Sequence, residues 1–146
     1  MMEVSVLLVD DEVPFVETLV KRLEKRKLRV AAAFSGQEAL DTLAASGPAK
    51  VDVVILDVKM PGMDGLETLS RIKEEHPLIE VIMLTGHATV ESAIDGMKKG
   101  AYDYLMKPCD MDVLIEKLDG AAAKKRKHED KILEAKASLI SLRRGD

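Results

Sequence analysis

The sequence is poor in the residue types on which several classes of protein depend. Cys109 is the only cysteine, so no internal disulfide can form, and a reducing cytoplasm is the expected location. Tryptophan is absent and aromatic residues make up 3% of the chain, which offers little for stacking nucleic-acid bases. The net charge of −4 gives no general case for nucleic-acid binding. No apolar run approaches the roughly 20 residues that span a bilayer. We therefore expect neither a nucleic-acid partner nor a membrane for this chain.

What the sequence does contain is a regular alternation of short apolar runs and helix-like segments. Its 146 residues are 47% hydrophobic, enough for the core of one domain with an extension. The apolar runs are rich in Val and Ile and read as buried parallel strands. They lie at residues 4–9, 28–34, 51–56, 81–84 and 102–106. The alternation predicts an α/β domain with a parallel sheet and right-handed crossovers.

Capping residues and apolar spacing indicate where the helices lie. Ser35 followed by Glu38 predicts a capping box for the second helix. Phe15, Leu19 and Leu23 recur at a spacing of four and should face the sheet from the first helix. The fourth helix is expected to turn another apolar set inward: Val90, Ala93, Ile94 and Met97.

Three acidic residues stand at the carboxyl ends of two predicted strands. Asp10 and Asp11 follow the first run, and Asp57 follows the third. Ligands bind beyond the carboxyl ends of strands in an open parallel sheet, so these acids share one crevice if the two strands are neighbours. Like charges this close repel by roughly 4 kcal/mol per pair at an effective dielectric near 20. The cluster makes sense if a hard cation neutralises it, and Mg²⁺ takes oxygen ligands.

Two other strand ends carry a hydroxyl and an ammonium group. The fourth run ends at Thr85-Gly86, and the fifth ends at Lys107-Pro108. Facing three acids and a metal, these groups would suit a phosphoryl group. The metal and Lys107 would neutralise its oxygens, and Thr85 would donate a hydrogen bond.

These motifs occur in a specific order along the chain: Asp10-Asp11, Asp57 followed by Met60-Pro61-Gly62-Met63-Asp64-Gly65, Thr85-Gly86, and Lys107-Pro108. In that order and spacing, the sequence resembles response-regulator receiver domains of two-component signalling. The likeness covers roughly residues 4–118, and residues 83–90 are also similar to receivers that precede ATPase-type transcription activators. The resemblance implies a flavodoxin-like fold, with a five-stranded parallel sheet in the order 2-1-3-4-5 and helices on both faces.

The resemblance also implies a role for each matching acid. Asp57 matches the phospho-acceptor, and a carboxylate can form an acyl phosphate. Asp11 matches the direct ligand of Mg²⁺, and Asp10 matches the acid that acts through a metal-bound water. The backbone carbonyl of Lys59 matches a further metal ligand. Glu12 is interpreted from the residues alone as a favourable acid at a helix start.

Three further residues take roles from the same resemblance. Lys107 matches the residue that pairs with the phosphoryl oxygens, and its peptide bond to Pro108 is commonly cis in the family. Thr85 matches the switch hydroxyl, and Tyr104 matches the aromatic residue that follows it inward. Gly86 leaves room for a small phosphodonor.

The domain organisation is predicted as a receiver over residues 1–118 and a helical C-terminal extension or linker over residues 119–146. The basic run at residues 124–128 is interpreted as part of a solvated helix that continues the fifth helix, rather than as a nucleic-acid arm.

The function expected is that of a cytoplasmic receiver that accepts a phosphoryl group on Asp57 in a Mg²⁺-dependent reaction. The donor would be a sensor histidine kinase or a phosphotransfer protein. The domain would catalyse its own phosphorylation and dephosphorylation without being a conventional enzyme. Its signal would pass to a downstream output protein or domain through the surface of the fourth helix, fifth strand and fifth helix, where a homodimer is also expected.

The same residues bear on several alternative functions. One is an N-terminal receiver fragment of a larger transcriptional regulator, and another is a receiver-like scaffold that no longer cycles phosphate. The presence of Asp11, Asp57, Thr85 and Lys107 argues against the scaffold. A flavodoxin-type carrier would need a phosphate-cradling loop where Asp10-Asp11-Glu12 would repel phosphate. A Mg²⁺-dependent phosphatase would need a substrate cap and a second acid two residues from its nucleophile.

Overall fold

Five parallel strands form one sheet in the computed structural model, which describes residues 3–47 and 50–143. The strands are β1 (Ser5–Val9), β2 (Arg29–Ala33), β3 (Val53–Leu56), β4 (Glu80–Thr85) and β5 (Asp103–Met106). Their order is β2-β1-β3-β4-β5, and every neighbouring pair is parallel. The predicted α/β class and strand order are confirmed. Because Val9 pairs with Leu56, β1 and β3 end at the same level of the sheet.

Helices cover both faces of the sheet. They are α1 (Val13–Lys25), α2 (Gly36–Ser46), α3 (Gly65–Glu75), α4 (Val90–Lys98) and α5 (Met111–Arg143). One core layer joins α1 and α5 to the sheet through residues such as Leu23 and Leu118, each 0% exposed. The opposite layer joins α2 and α3 through residues such as Ala39 and Leu69, also 0% exposed. Both faces of the central strands are therefore buried, as expected of a parallel sheet.

Local hydrogen bonds at the helix starts follow the predicted capping residues with one difference. The Ser35 hydroxyl accepts a bond from the Glu38 backbone N–H at 3.1 Å. The Glu38 carboxylate accepts from the Phe34 N–H at 3.3 Å, one residue before the position that a capping box requires. The full reciprocal box occurs instead at α4, between Thr89 and Ser92.

The orientation predicted for α4 is wrong. Val90 is 77% exposed, and Ile94 and Met97 are exposed at 49% and 48%. Gly96 is the buried residue of this helix, and a Cβ there would lie 3.4 Å from the Tyr104 ring. The helix is rotated because its small residues, rather than its large apolar ones, allow it to approach the aromatic ring of β5.

The last helix is continuous across the predicted domain boundary after residue 118. Its inward stripe goes on through Ala121 and Ala122 to Lys125, which are each no more than 1% exposed. The solvated part of the helix begins after this stripe, and exposed apolar side chains follow it, including Leu133 at 64%. Where the receiver domain ends therefore stays a prediction. The terminal residues 1, 2 and 144–146 of the two predicted segments lie outside the described residues.

None of the helices within residues 3–47 and 50–143 is both long and apolar enough to cross a membrane.

Candidate functional site

Three carboxylates converge at the carboxyl edge of the sheet. Ligand oxygens of Asp10, Asp11 and Asp57 all lie within 4.8 Å of one another. Backbone bonds continue the sheet one residue beyond the strands, because the Asp57 N–H donates to Val9 (3.1 Å) and the Asp10 N–H donates to Ala33 (3.1 Å). Asp10 and Asp57 are buried at 1% and 2% exposure, whereas Asp11 is exposed. The cluster therefore has a buried floor and one carboxylate open to solvent.

Each buried carboxylate has one oxygen bound by the backbone. Oδ1 of Asp10 accepts from the Glu12 N–H at 2.9 Å, and Oδ1 of Asp57 accepts from the Val58 N–H at 2.8 Å. These bonds fix the two carboxylates and turn their Oδ2 atoms toward the same ammonium group.

That ammonium belongs to Lys107. Its Nζ lies 2.6 Å from Oδ2 of Asp10, 3.3 Å from Oε1 of Glu12 and 3.7 Å from Oδ2 of Asp57. The Lys107 N–H donates to the Thr85 carbonyl at 2.9 Å, which extends the pairing of β5 with β4. The peptide bond between Lys107 and Pro108 is cis, as the resemblance implied. The ammonium therefore lies among the carboxylates of Asp10, Glu12 and Asp57.

The charges of the crevice do not balance. Burial raises the pKa of Asp10, and the charge of Asp57 raises it further, although the hydrogen bond from Lys107 acts in the opposite direction. Burial lowers the pKa of Lys107, but its hydrogen bond to Asp10 and the charges of Asp57 and Glu12 outweigh this effect, so the pKa is raised overall. One ammonium thus faces several carboxylates, and the site can accept further positive charge.

The two predicted switch residues occupy neighbouring strands. The Thr85 side chain is 0% exposed at the end of β4, and its hydroxyl accepts a hydrogen bond from the His87 N–H at 3.0 Å. Tyr104 is half-buried on β5, and its hydroxyl forms a 2.5 Å hydrogen bond with the Ser92 hydroxyl of α4. A rearrangement of Tyr104 would therefore break or shift its hydrogen bond to α4.

The loop after β3 lies beside the exposed side of the acidic cluster. Lys59 and His87 line an open cleft together with Asp11 and Glu12. Behind this loop, Gly65 donates its N–H to the Val58 carbonyl at 2.7 Å, and a Cβ at Gly65 would overlap the Asp57 carbonyl oxygen. The glycine is therefore required for α3 to begin this close to Asp57. Metal binding by the Lys59 carbonyl stays a prediction.

Comparison with known proteins agrees with this geometry. A family model described as the response regulator receiver domain matches residues 6–119. The chain belongs to this family. The curated relatives of this receiver domain include the DNA-binding transcriptional regulator NtrC of Klebsiella pneumoniae, which is 39% identical over 114 residues. They also include the transcriptional regulatory protein ZraR of Salmonella typhimurium, which is 39% identical over 141 residues.

A solved structure of the same family is matched over almost its whole length. The crystal structure of a response regulator receiver domain protein from Clostridium thermocellum is 35% identical, with a TM-score of 0.80. The match covers 84% of this chain and 97% of that one. By contrast, the matches cover 78% and 96% of this chain but only 24% of NtrC and 31% of ZraR. The receiver domain therefore spans less than a third of the length of these two regulators.

Glu12 is a neighbour of the site at the start of α1. It was interpreted as a favourable acid at a helix start, and it is the N-cap residue of α1, but its side chain makes no capping bond. Its carboxylate lies beside Lys107 instead. The position directly after Asp10-Asp11 was the available signal.

A second polar cluster lies at the opposite edge of the sheet in the receiver domain. Asp52 accepts bonds from the Ser5 N–H (2.9 Å), the Lys125 ammonium (3.4 Å) and the Arg126 guanidinium (3.1 Å). Lys125 is also paired with Glu129 at 3.3 Å. The signal in the sequence was the inward stripe of α5, which reaches Lys125 in steps of three and four from Leu114. We call Asp52, Lys125 and Arg126 the amino-edge clamp.

Proposed function

We propose that this receiver domain accepts a phosphoryl group on Asp57 from a phosphohistidine of a sensor kinase or a phosphotransfer protein. The observation that carries the proposal is the convergence of three carboxylates within 4.8 Å of one another, two of which, Asp10 and Asp57, also contact the Lys107 ammonium. A purely structural cluster would gain little from such an arrangement, because buried like charges destabilise the fold unless they are compensated. The membership of the chain in the receiver family supports the same reaction.

The covalent step is a displacement at phosphorus by the Asp57 carboxylate, in a reaction proposed to depend on Mg²⁺. An oxygen of the Asp57 carboxylate attacks phosphorus, and the bond between phosphorus and the donor atom breaks. The electron pair of that bond leaves with the histidine nitrogen, or with acetate when acetyl phosphate is the donor. Lys107 then neutralises phosphoryl oxygens, and the Thr85 hydroxyl donates a hydrogen bond once it turns from the His87 N–H.

The donor set fits Mg²⁺ as the predicted cofactor. Carboxylate oxygens are hard ligands, and Mg²⁺ uses few of them while retaining several waters. We propose that Asp10, Asp11, Asp57 and the Lys59 carbonyl hold it, with Asp11 as the solvent-exposed ligand. When bound, Mg²⁺ would neutralise part of the negative charge on the transferred phosphoryl group.

The proposed signal leaves through α4 and β5. Thr85 ends β4 beside the crevice, and Tyr104 links the neighbouring strand to α4 through Ser92. The large apolar side chains of α4 already face solvent, and Met106 on β5 is 65% exposed. A shift of Tyr104 would alter this surface and its affinity for an output protein, an output domain or a second copy of the chain.

A cytoplasmic location also stays a prediction.

The first test is intact-mass spectrometry after incubation with acetyl phosphate and Mg²⁺. We expect one added phosphoryl group on the wild-type chain and none on Asp57→Asn. Asp95→Asn, an exposed acid on α4, serves as the matched control and should label like the wild type. Equal labelling of wild type and Asp57→Asn would remove Asp57 as the acceptor.

We further propose that the receiver acts within a larger transcriptional regulator. The 39% identity to NtrC and ZraR, over a fraction of their length, supports this proposal. An antibody raised against this chain should then detect, in cells of its source, a protein much larger than 16.0 kDa. A single band at the mass of the chain would contradict the proposal and favour a stand-alone receiver.

A further inference from the structure

The Lys107 ammonium lies over an aromatic ring as well as beside carboxylates. Its Nζ is 4.0 Å from the centroid of the Phe15 ring, well inside the roughly 6 Å over which a cation is attracted to a ring face. Phe15 is half-buried in the first turn of α1, packed against the core layer shared with α5. The sequence pattern predicted Phe15 only as an apolar residue facing the sheet.

The ring and the carboxylates restrain the ammonium in different ways. Asp10, at 2.6 Å, is the nearest acid, and Glu12 at 3.3 Å is 58% exposed and able to follow the ammonium outward. Lysine has a flexible four-carbon stem and a compact charge, so these two acids alone do not fix its place relative to Asp57. The ring belongs to a packed helix and offers a negative face that does not compete for a hydrogen bond.

We propose that Phe15 is a positioning residue for phosphoryl transfer, and that its ring face holds the Lys107 ammonium within reach of the oxygens on Asp57. The inference rests on the proposed function. As the Asp57 oxygen bonds to phosphorus and the donor leaves with its electron pair, negative charge stays on the phosphoryl oxygens beside Asp57. An ammonium held over Phe15 can leave Asp10 and bind those phosphoryl oxygens directly, because it has not moved out into solvent.

The chain offers an unusually clean test because it contains only two phenylalanines. Phe34 is 37% exposed, and it belongs to neither of the two cation–aromatic contacts found among the described residues. Site-specific replacement of Phe15 by mono-, di- and trifluorophenylalanine weakens the negative ring face stepwise with little change in shape. The same series at Phe34 is the matched control. The readout is the rate of Asp57 labelling by acetyl phosphate with Mg²⁺ in the full chain.

We expect the labelling rate to fall stepwise with fluorination of Phe15, by about two- to five-fold at the trifluoro variant, the range of a cation–π contact. The Phe34 series should stay at the wild-type rate, and both series should remain fully folded at the assay temperature. Phe15→Leu should also be slow, since it retains an apolar side chain without a ring face. Phe15→Tyr should restore the rate.

The outcomes separate this inference from the proposed function. If the wild type is labelled at Asp57 and the Phe15 series is as flat as the Phe34 series, the positioning role is overturned while phospho-acceptance stands. A Phe15→Leu rate equal to that of the wild type would also overturn it. If the wild type itself is not labelled at Asp57, the proposed function fails and the inference fails with it.

Discussion

The ammonium of Lys107 lies closer to Asp10 than to Asp57, at 2.6 Å against 3.7 Å. Both carboxylates present an Oδ2 atom to it, because their Oδ1 atoms are bound by backbone N–H groups. Asp10 is therefore the main partner of Lys107 in the described state, and the proposed reaction requires this ion pair to loosen.

Asp10→Asn should stabilise the fold at neutral pH. The folded pKa of Asp10 is raised, chiefly by burial, so its stabilising contribution is present below the ordinary value of 3.8 and is lost as the pH rises through the folded pKa. At pH 7 the ionised group is a cost, and its removal should raise the free energy of unfolding by on the order of 1 kcal/mol. Urea titrations between pH 3 and pH 7 would show a difference that grows with pH. A variant less stable than wild type at pH 7 would mean that the Lys107 ion pair outweighs burial.

Mg²⁺ should raise the melting temperature of the wild-type chain. A ligand that binds only the folded state at 100 times its Kd stabilises it by about 2.7 kcal/mol. Asp11→Ala should lose most of this effect, because it removes the exposed ligand and leaves the buried pair in place. Calorimetric titration with Mg²⁺ checks binding directly, with NaCl of equal ionic strength as the control. Equal Mg²⁺ responses in the two proteins would exclude Asp11 as a ligand.

Thr85→Ala should still accept phosphate but transmit it poorly. The hydroxyl is buried beside the crevice and is separate from the carboxylates that carry the chemistry. We expect the amide shifts that beryllofluoride, a phosphoryl mimic, induces in residues 90–118 to be strongly reduced. Thr85→Ser retains the hydroxyl and should behave like the wild type. The full wild-type shift pattern in Thr85→Ala would show that the hydroxyl plays no part in the switch.

Lys125→Met should destabilise the protein by about 3 kcal/mol. Removing one partner of a buried ion pair leaves an uncompensated charge at a cost of roughly 3–5 kcal/mol, and the lower end applies because Asp52 retains Arg126 and the Ser5 N–H. Lys127→Met, at an exposed position two residues further on, should change stability by no more than about 0.5 kcal/mol. Equal effects of the two substitutions in denaturant titrations would show that the amino-edge clamp contributes little to folding.

Lys117→Met should lower stability at neutral pH but not in acid. Lys117 lies 2.7 Å from Asp103. Burial acts to raise the pKa of the Asp103 carboxyl. The hydrogen bond from Lys117 and its charge outweigh burial, so the pKa of Asp103 is lower than its ordinary value. A depressed carboxyl pKa contributes stability above 3.8 that is lost as the pH falls through the folded value. Thermal melts should therefore differ at pH 7 and converge below the folded pKa of Asp103, with Lys131→Met as the exposed control. A difference that persists in acid would point to lost packing of the lysine stem.

The sequence by itself determined the α/β class and the acids of the site. The apolar pattern and the length of each apolar run identify buried strands. Parallel strands bring their carboxyl ends to one edge of the sheet. Asp10, Asp11 and Asp57 are therefore expected to meet if β1 and β3 are neighbours. Periodicity does not show that β1 and β3 are neighbours in the sheet. That expectation came from the resemblance to receiver domains. Strand pairing joins residues distant along the chain, and no local pattern encodes it.

Only the tertiary structure decided which ion pairs and contacts the charged side chains form. The sequence places Lys107 at a strand end, but its closer contact with Asp10 than with Asp57 depends on how the strands pair, and its position over Phe15 depends on where α1 lies relative to the end of β5. The rotation of α4 depended likewise on the fit of Gly96 against Tyr104, which overrode the apolar pattern of the helix. Lys125 became buried because the middle of α5 reaches Asp52, a residue 73 positions earlier in the chain. Periodicity reports which face of an element is apolar, whereas contacts between side chains of different elements are settled only when the elements pack.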